Sequence, residues 1–227
     1  MKALVCYMLT DLLRSNRYFM PGTAYVIFVA WIYSVKPNPV LESYGVTAAL
    51  LFAIAAWFGI LLDGVEPKRQ QDLTVLHAGG YVRYAQARMA LLGLAALACT
   101  LYAVAVPLLR HSFDRGVTVT DLVLAFYSHG LAFALGAGIS WLAVTVSRKQ
   151  TEMLGVLLVV ICASLGAGGI AEVLPGWSAW LTWLLPPVYQ LLGGLFGSGN
   201  RAVDLAYPLV YAAVLYMVIV KRFVSRR

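Results

Sequence analysis

Charge is scarce in this chain: 12% of its 227 residues are Asp, Glu, Lys or Arg, against 61% hydrophobic. A water-soluble domain carries about twice that charged fraction, so a soluble fold is excluded and lipid has to replace water around most of the surface. Ionisable residues are almost missing from the apolar stretches. Membrane enzymes and ion-driven transporters keep charge at depth because their chemistry requires it, which weighs against both classes. His77, His111 and His129 fall in three separate regions, too dispersed to meet at one metal. Cys6, Cys99 and Cys162 lie in separate apolar segments without metal-ligand spacing, and each is expected to be a small buried hydrophobe. Gly138-Ile139-Ser140 lacks the glycine that completes a nucleophile elbow. Asp63-Gly64 lacks the further aspartates that metal-dependent phosphatidyl transfer needs. No phosphate loop of the Gly-x-x-x-x-Gly-Lys-Ser/Thr type is present, so the chain is not expected to hydrolyse ATP by itself. No catalytic residue, metal ligand or cofactor-binding residue is assigned.

What is abundant is apolar sequence in blocks. Six stretches, residues 18–35, 45–62, 89–109, 122–146, 153–170 and 203–220, lie near the length needed to cross about 30 Å of hydrocarbon at about 1.5 Å per residue. Met20-Pro21-Gly22 would begin or bend the first, since Pro suits a first helical turn. The net charge of +7 does not point to nucleic acid, because the basic residues flank these stretches instead of forming one solvated patch. Thirteen of the 17 lysines and arginines fall on one side of a six-span arrangement, among them Lys2, Arg14, Arg17, Arg148, Lys221, Arg226 and Arg227. Lys36, Arg110, Arg115 and Arg201 fall on the other, while acidic residues divide evenly. The excess of positive charge predicts a multi-pass protein with both termini in the cytoplasm.

The expected fold is therefore an all-α membrane protein, a single transmembrane domain over residues 1–227 with six transmembrane helices. Residues 1–17 form an amphipathic interfacial helix, with Leu4, Val5, Met8 and Leu12 on one face and Thr10, Asp11, Arg14 and Arg17 opposite. Residues 171–202 are broken by Pro175, Pro186-Pro187 and several glycines into pieces too short to cross. A re-entrant helical hairpin on the outer side, before the last helix, satisfies both the breakers and the charges, with Trp177, Trp180, Trp183 and Tyr189 as interfacial aromatics. Glu172 at its start could cap it or face a lumen. Ser128 and His129 are the clearest polar pair inside a span and are candidates to line a pore or to bond between helices. Gly136, Gly138 and Ser140, and likewise Ser164, Gly166, Gly168 and Gly169, form small faces that let helices approach closely, within one subunit or, alternatively, at a subunit interface or moving seam.

The one sizeable loop on the positive side, residues 63–88, holds a short helix. Asp72 is its natural N-cap, Leu73, Val75 and Leu76 its apolar contacts, and Gly79-Gly80 its end, giving under two turns flanked by Lys68, Arg69 and Arg83. Such a helix is marginal alone and would be stabilised by docking.

With this loop the chain resembles the membrane (permease) subunit of a type-2 ABC exporter. Gln71-Asp72-Leu73 stands where that family has Gly-Thr-Leu, Gly79-Gly80 at its turn, and Arg83 at its closing arginine. Asp72 replaces the family's Thr and Gly80 a frequent Pro, so the stronger resemblance is the order of elements along nearly the whole chain. It implies a second permease subunit, identical or homologous, and an ABC-type ATP-binding subunit that carries ATP and Mg and docks beneath the pair. It assigns coupling to Arg69, Asp72, Leu73, Val75, Leu76 and Arg83, and an outer gate to Glu172, Pro186, Pro187 and Tyr189. The implied activity is export of an amphipathic substrate such as a drug, peptide or lipid across a prokaryotic cytoplasmic membrane. An ion-coupled secondary transporter and a polytopic membrane enzyme are the alternative readings.

Overall fold

The computed structural model describes residues 1–147, 149–176, 179–197 and 200–225; Arg148, Trp177, Arg226 and Arg227 lie outside them. The described residues form ten α-helices, one 3-10 helix and no strand. In order these are α1 (Lys2–Ser15), α2 (Phe19–Ile32), α3 (Val40–Val65), α4 (Lys68–Ala78), α5 (Tyr81–Leu109), α6 (Val119–Val146), α7 (Gln150–Leu165), α8 (Ala167–Val173), the 3-10 helix Ala179–Leu184, α9 (Val188–Phe196) and α10 (Arg201–Val224). Helices α3, α5, α6 and α10 are each long and apolar enough to cross a membrane. The α7–α8 pair reaches that length only together and is bent by 75° at Gly166. Three glycines within four residues, Gly166, Gly168 and Gly169, weaken the helix there. Helix α2 has 14 residues, about 21 Å at the α-helical rise, shorter than the stretch 18–35 that hydropathy marks. Pro21 sits in its first turn as expected, and Pro37 and Pro39 hold the chain after it out of helical conformation.

Helices α3 and α6 form the centre and share the largest packing interface of the fold. Small residues make this possible. A Cβ on Gly136 would stand 2.0 Å from the Phe52 carbonyl oxygen, and one on Gly59 would stand 1.9 Å from Oγ of Ser140. Two backbones that close gain dispersion contacts along their whole length, the main attraction available where lipid is as apolar as the side chains. Gly136 and Ser140 thus serve packing inside this chain. Gly138 does too, against Leu215 of α10.

Tyrosines join the outer helices to this core. Their hydroxyls donate to backbone carbonyls of neighbouring helices: Tyr102 to Val26 at 3.0 Å, Tyr127 to Leu205 at 2.5 Å, Tyr216 to Ala134 at 3.1 Å. Tyr207 and Tyr211 of α10 reach the carbonyls of Trp183 and Leu184 in the 3-10 helix, where short-range geometry leaves acceptors free. Helix α9 lies between α3 and α10 with Val188, Leu191 and Leu195 buried.

The two ends of the bundle are built differently. At one end the α2–α3 and α5–α6 loops pair through Asn38 and Phe113, with Asn38 N–H donating to the Ser112 carbonyl at 2.9 Å. There Asp121 caps α6 in a reciprocal box with Thr118 and accepts two bonds from Arg115, 2.7 and 3.0 Å. Helix α4 lies at the opposite end, beside α1.

Helix α1 presents most of the face the sequence predicts: Met8 and Leu12 are buried, Leu4 and Val5 pack on the core, and Thr10 and Arg14 are exposed, as is Arg17 just past the helix end, while Asp11 is half-buried. The cysteine expectation needs correction. Cys6 and Cys162 are exposed on helix faces that the core does not cover, while Cys99 is half-buried and packs against the core.

Candidate functional site

Helix α3 continues to Val65 and α5 begins at Tyr81, so the loop marked as 63–88 shrinks to residues 66–80. Glu66 is extended because it precedes a proline, and Pro67, not Asp72, starts α4. Asp72 is an exposed residue within the helix, which runs for 11 residues instead of under two turns. The end is as expected. Gly79 takes a left-handed φ of 82°, Gly79 N–H donates to the Leu76 carbonyl and Gly80 N–H to that of Val75, a double closure that exhausts the last turn.

The apolar residues of α4 divide. Val75 is 3% exposed and packs on the core of this chain, whereas Leu73 is 58% and Leu76 74% exposed. Val75 therefore anchors the helix and is not free for a partner. Leu73 and Leu76 stand one turn apart with nothing of this chain over most of their surface. Arg69, Asp72 and Arg83 around them are exposed. Leu73 also lines an open groove of about 810 Å³ bounded by Leu4 and Tyr7 of α1 and by Arg83 and Gln86 of α5.

Glu66, which sequence reasoning missed, holds this arrangement together. Its carboxylate accepts from Tyr7 of α1 at 3.2 Å, from Thr74 of α4, and from Tyr84 of α5 at 2.8 Å. Gln70 of α4 donates in turn to the Tyr7 hydroxyl at 2.6 Å. A carboxylate before a proline at a helix junction was the only available signal; its three donors come from three different helices, Tyr7 from one 59 positions away. Glu66→Ala leaves the buried Tyr84 hydroxyl without an acceptor and is expected to loosen α4 by about 2 kcal/mol. Amide exchange over residues 68–78 should then rise more than tenfold while α3 and α6 keep their protection; unchanged exchange in α4 would show that Val75 alone holds it.

Next to this junction Arg88, the last residue of the stretch 63–88, is 4% exposed. It pairs with Asp63 at 3.1 Å, donates to the Gly59 carbonyl at 3.4 Å and lies 4.7 Å over the Trp141 ring. It ties the ends of α3, α5 and α6 together below α4.

The remaining candidates do not converge on α4. Ser128 and His129 are wholly buried between α3 and α6: His129 Nε2 pairs with the Thr47 hydroxyl at 2.9 Å, its Nδ1 with the Ala125 carbonyl at 2.7 Å, and Ser128 donates to that same carbonyl. His129 thus bonds across to α3, whereas the Ser128 bond stays within α6. Glu172 is exposed near the end of α8, Pro186 and Pro187 are buried ahead of α9, and Tyr189 lays its ring against Gly168. Among the described residues no group of three or more His, Cys, Asp or Glu could hold a metal ion. No protein-family model, curated protein or solved structure matches this chain.

Proposed function

We propose that this chain is the permease subunit of a type-2 ABC exporter, working with a separate ATP-binding subunit to export an amphipathic substrate. One observation carries the reading. Leu73 and Leu76 are presented to water on a helix that Val75 and Glu66 hold rigidly at one end of the bundle. Two exposed leucines on an anchored short helix form a knob suited to a cleft on another protein. Arg69, Asp72 and Arg83 supply the polar rim.

The topology belongs to the same reading. Helix α2 and the bent α7–α8 pair would complete six spans with α3, α5, α6 and α10, and α1 would lie in the cytoplasmic interface. Both termini, α4 and the excess of lysine and arginine then share the cytoplasmic side of a prokaryotic inner membrane. The 171–202 segment would re-enter from the outer side. The bonds from Tyr207 and Tyr211 to the 3-10 helix support this, because irregular backbone at membrane depth has to be satisfied by protein. A second permease subunit would complete the pore. ATP-driven closure of the partner would move α4, and the Glu66 junction would pass that motion to α1 and α5 by shifting the population between inward- and outward-open states. Pro186, Pro187 and Tyr189 would form the outer gate.

Coexpression with a phosphate-loop ATPase tests the reading. The chain purified alone should hydrolyse no ATP, and in a reconstituted complex it should change the ATPase subunit's turnover several-fold. Hydrolysis by a preparation proven free of other chains would overturn the division of labour.

A further inference from the structure

Helices α5 and α10 touch where Phe223 packs on Tyr81 and Tyr84, yet their outer faces stay open beside that contact. On that side runs an apolar groove in two adjoining parts of about 640 and 300 Å³, which share Met89 and Tyr216 as lining residues. Met217 and Val220 form one wall, Gly93 the other, and Gly130 of α6 part of the floor. A Cβ added at Gly93 or at Gly130 would meet no atom within 4 Å. These glycines keep space open where the α3–α6 glycines close it. Tyr216 cannot swing into the groove without breaking its bond to the Ala134 carbonyl.

One end of the groove is polar. Lys221 and Ser225 line its mouth, Arg222 follows, and Phe223 beside them stacks on Tyr84, which places the mouth at the α4 end of the bundle. Among the described residues no carboxylate lies within ion-pair distance of Lys221. From Ser225 to Ala213, the lining residues farthest apart on α10, the rise is about 18 Å. Half the hydrocarbon thickness of a bilayer is about 15 Å. The groove therefore has the reach of one leaflet, with cationic and hydroxyl groups at headgroup level and an apolar channel below.

We infer that this groove is a binding site for an anionic phospholipid, one acyl chain lying between α5 and α10 and the phosphate at Lys221 and Ser225. The charge argues against a second copy of the chain as occupant. A two-fold interface sets the same patch against itself, which would bring Lys221 and Arg222 of both copies together without a carboxylate between them. The inference does not depend on the exporter reading, since it uses only the groove, its depth and its charge.

Native mass spectrometry of the detergent-purified full chain, titrated with phosphatidylglycerol or phosphatidylcholine, tests it. The wild type should retain phosphatidylglycerol in preference to phosphatidylcholine. Lys221→Gln should lower that preference about fivefold, the equivalent of about 1 kcal/mol for one basic residue at a membrane surface, and Lys221→Arg should restore it. Gly130→Leu, which fills the channel at a position with free space, should remove the retained lipid while thermal stability holds; Gly93→Leu repeats the test from the other wall. Equal retention of both lipids, unaffected by Lys221→Gln, would overturn the site and leave only ordinary lipid solvation. Loss of a dimer in Gly130→Leu with lipid retention unchanged would assign the groove to protein contact instead.

Discussion

Leu76→Asp is expected to abolish copurification with the proposed ATP-binding subunit while leaving the membrane fold intact. Leu76 is 74% exposed in the chain alone, and surface substitutions of this kind change stability by roughly 0.5 kcal/mol or less. In the proposed complex the same position would lie inside the partner's cleft. A carboxylate buried there without a partner costs several kcal/mol, and a loss of about 3 kcal/mol is more than a hundredfold in association. Column chromatography of the coexpressed subunits would resolve that difference. Val75→Asp separates the two roles of the helix: Val75 is 3% exposed against this chain's own core, so its substitution should lower the melting temperature of the isolated chain. A Leu76→Asp variant that forms a normal complex and transports normally would remove α4 from the coupling role.

Gly136→Ala should destabilise the membrane domain by about 3 kcal/mol, at the upper end of overpacking effects. The added Cβ would stand 2.0 Å from a backbone carbonyl and 3.0 Å from the Ala55 side chain. A backbone atom cannot rotate away, so α3 and α6 have to separate along their length. Gly130→Ala on the same helix has free space and gains helix propensity of about 1 kcal/mol. Thermal unfolding in one detergent should place the first variant well below the wild type and the second at or above it. Equal melting temperatures for the two would show that close approach at Gly136 does not hold the α3–α6 pair together.

The two substitutions also mark where sequence reading succeeds. Gly136, Gly138 and Ser140 were legible as close-packing positions because small residues in an apolar helix have few other uses; that Gly136 and Ser140 face α3 while Gly138 faces α10 was not. The end of α4 at Gly79-Gly80 was legible because left-handed backbone favours glycine. Its beginning was not. Asp72 satisfies every local rule for an N-cap, yet Pro67 starts the helix one turn and a half earlier, since bonds to Glu66 and burial of Val75 outweigh a surface cap. The division of Leu73, Val75 and Leu76 into two exposed residues and one anchor was equally hidden: all three are apolar, and only the position of the α3–α6 core decides which turns inward.

Composition and the blocks of apolar sequence by themselves pointed to a multi-pass helical membrane protein, because the penalty for burying charge in lipid depends on residue type and not on neighbours. Helix ends set by proline and glycine belong to the same group, since their backbone restrictions are local. Tertiary structure decided the rest. It showed that His129 is an interhelical bond between α3 and α6, that Arg88 is a buried tie over Trp141, and that Glu66 gathers donors from three helices. It also left α5 and α10 apart over Gly93 and Gly130. These outcomes depend on which residues meet across tens of positions in the chain, a quantity that packing alone determines.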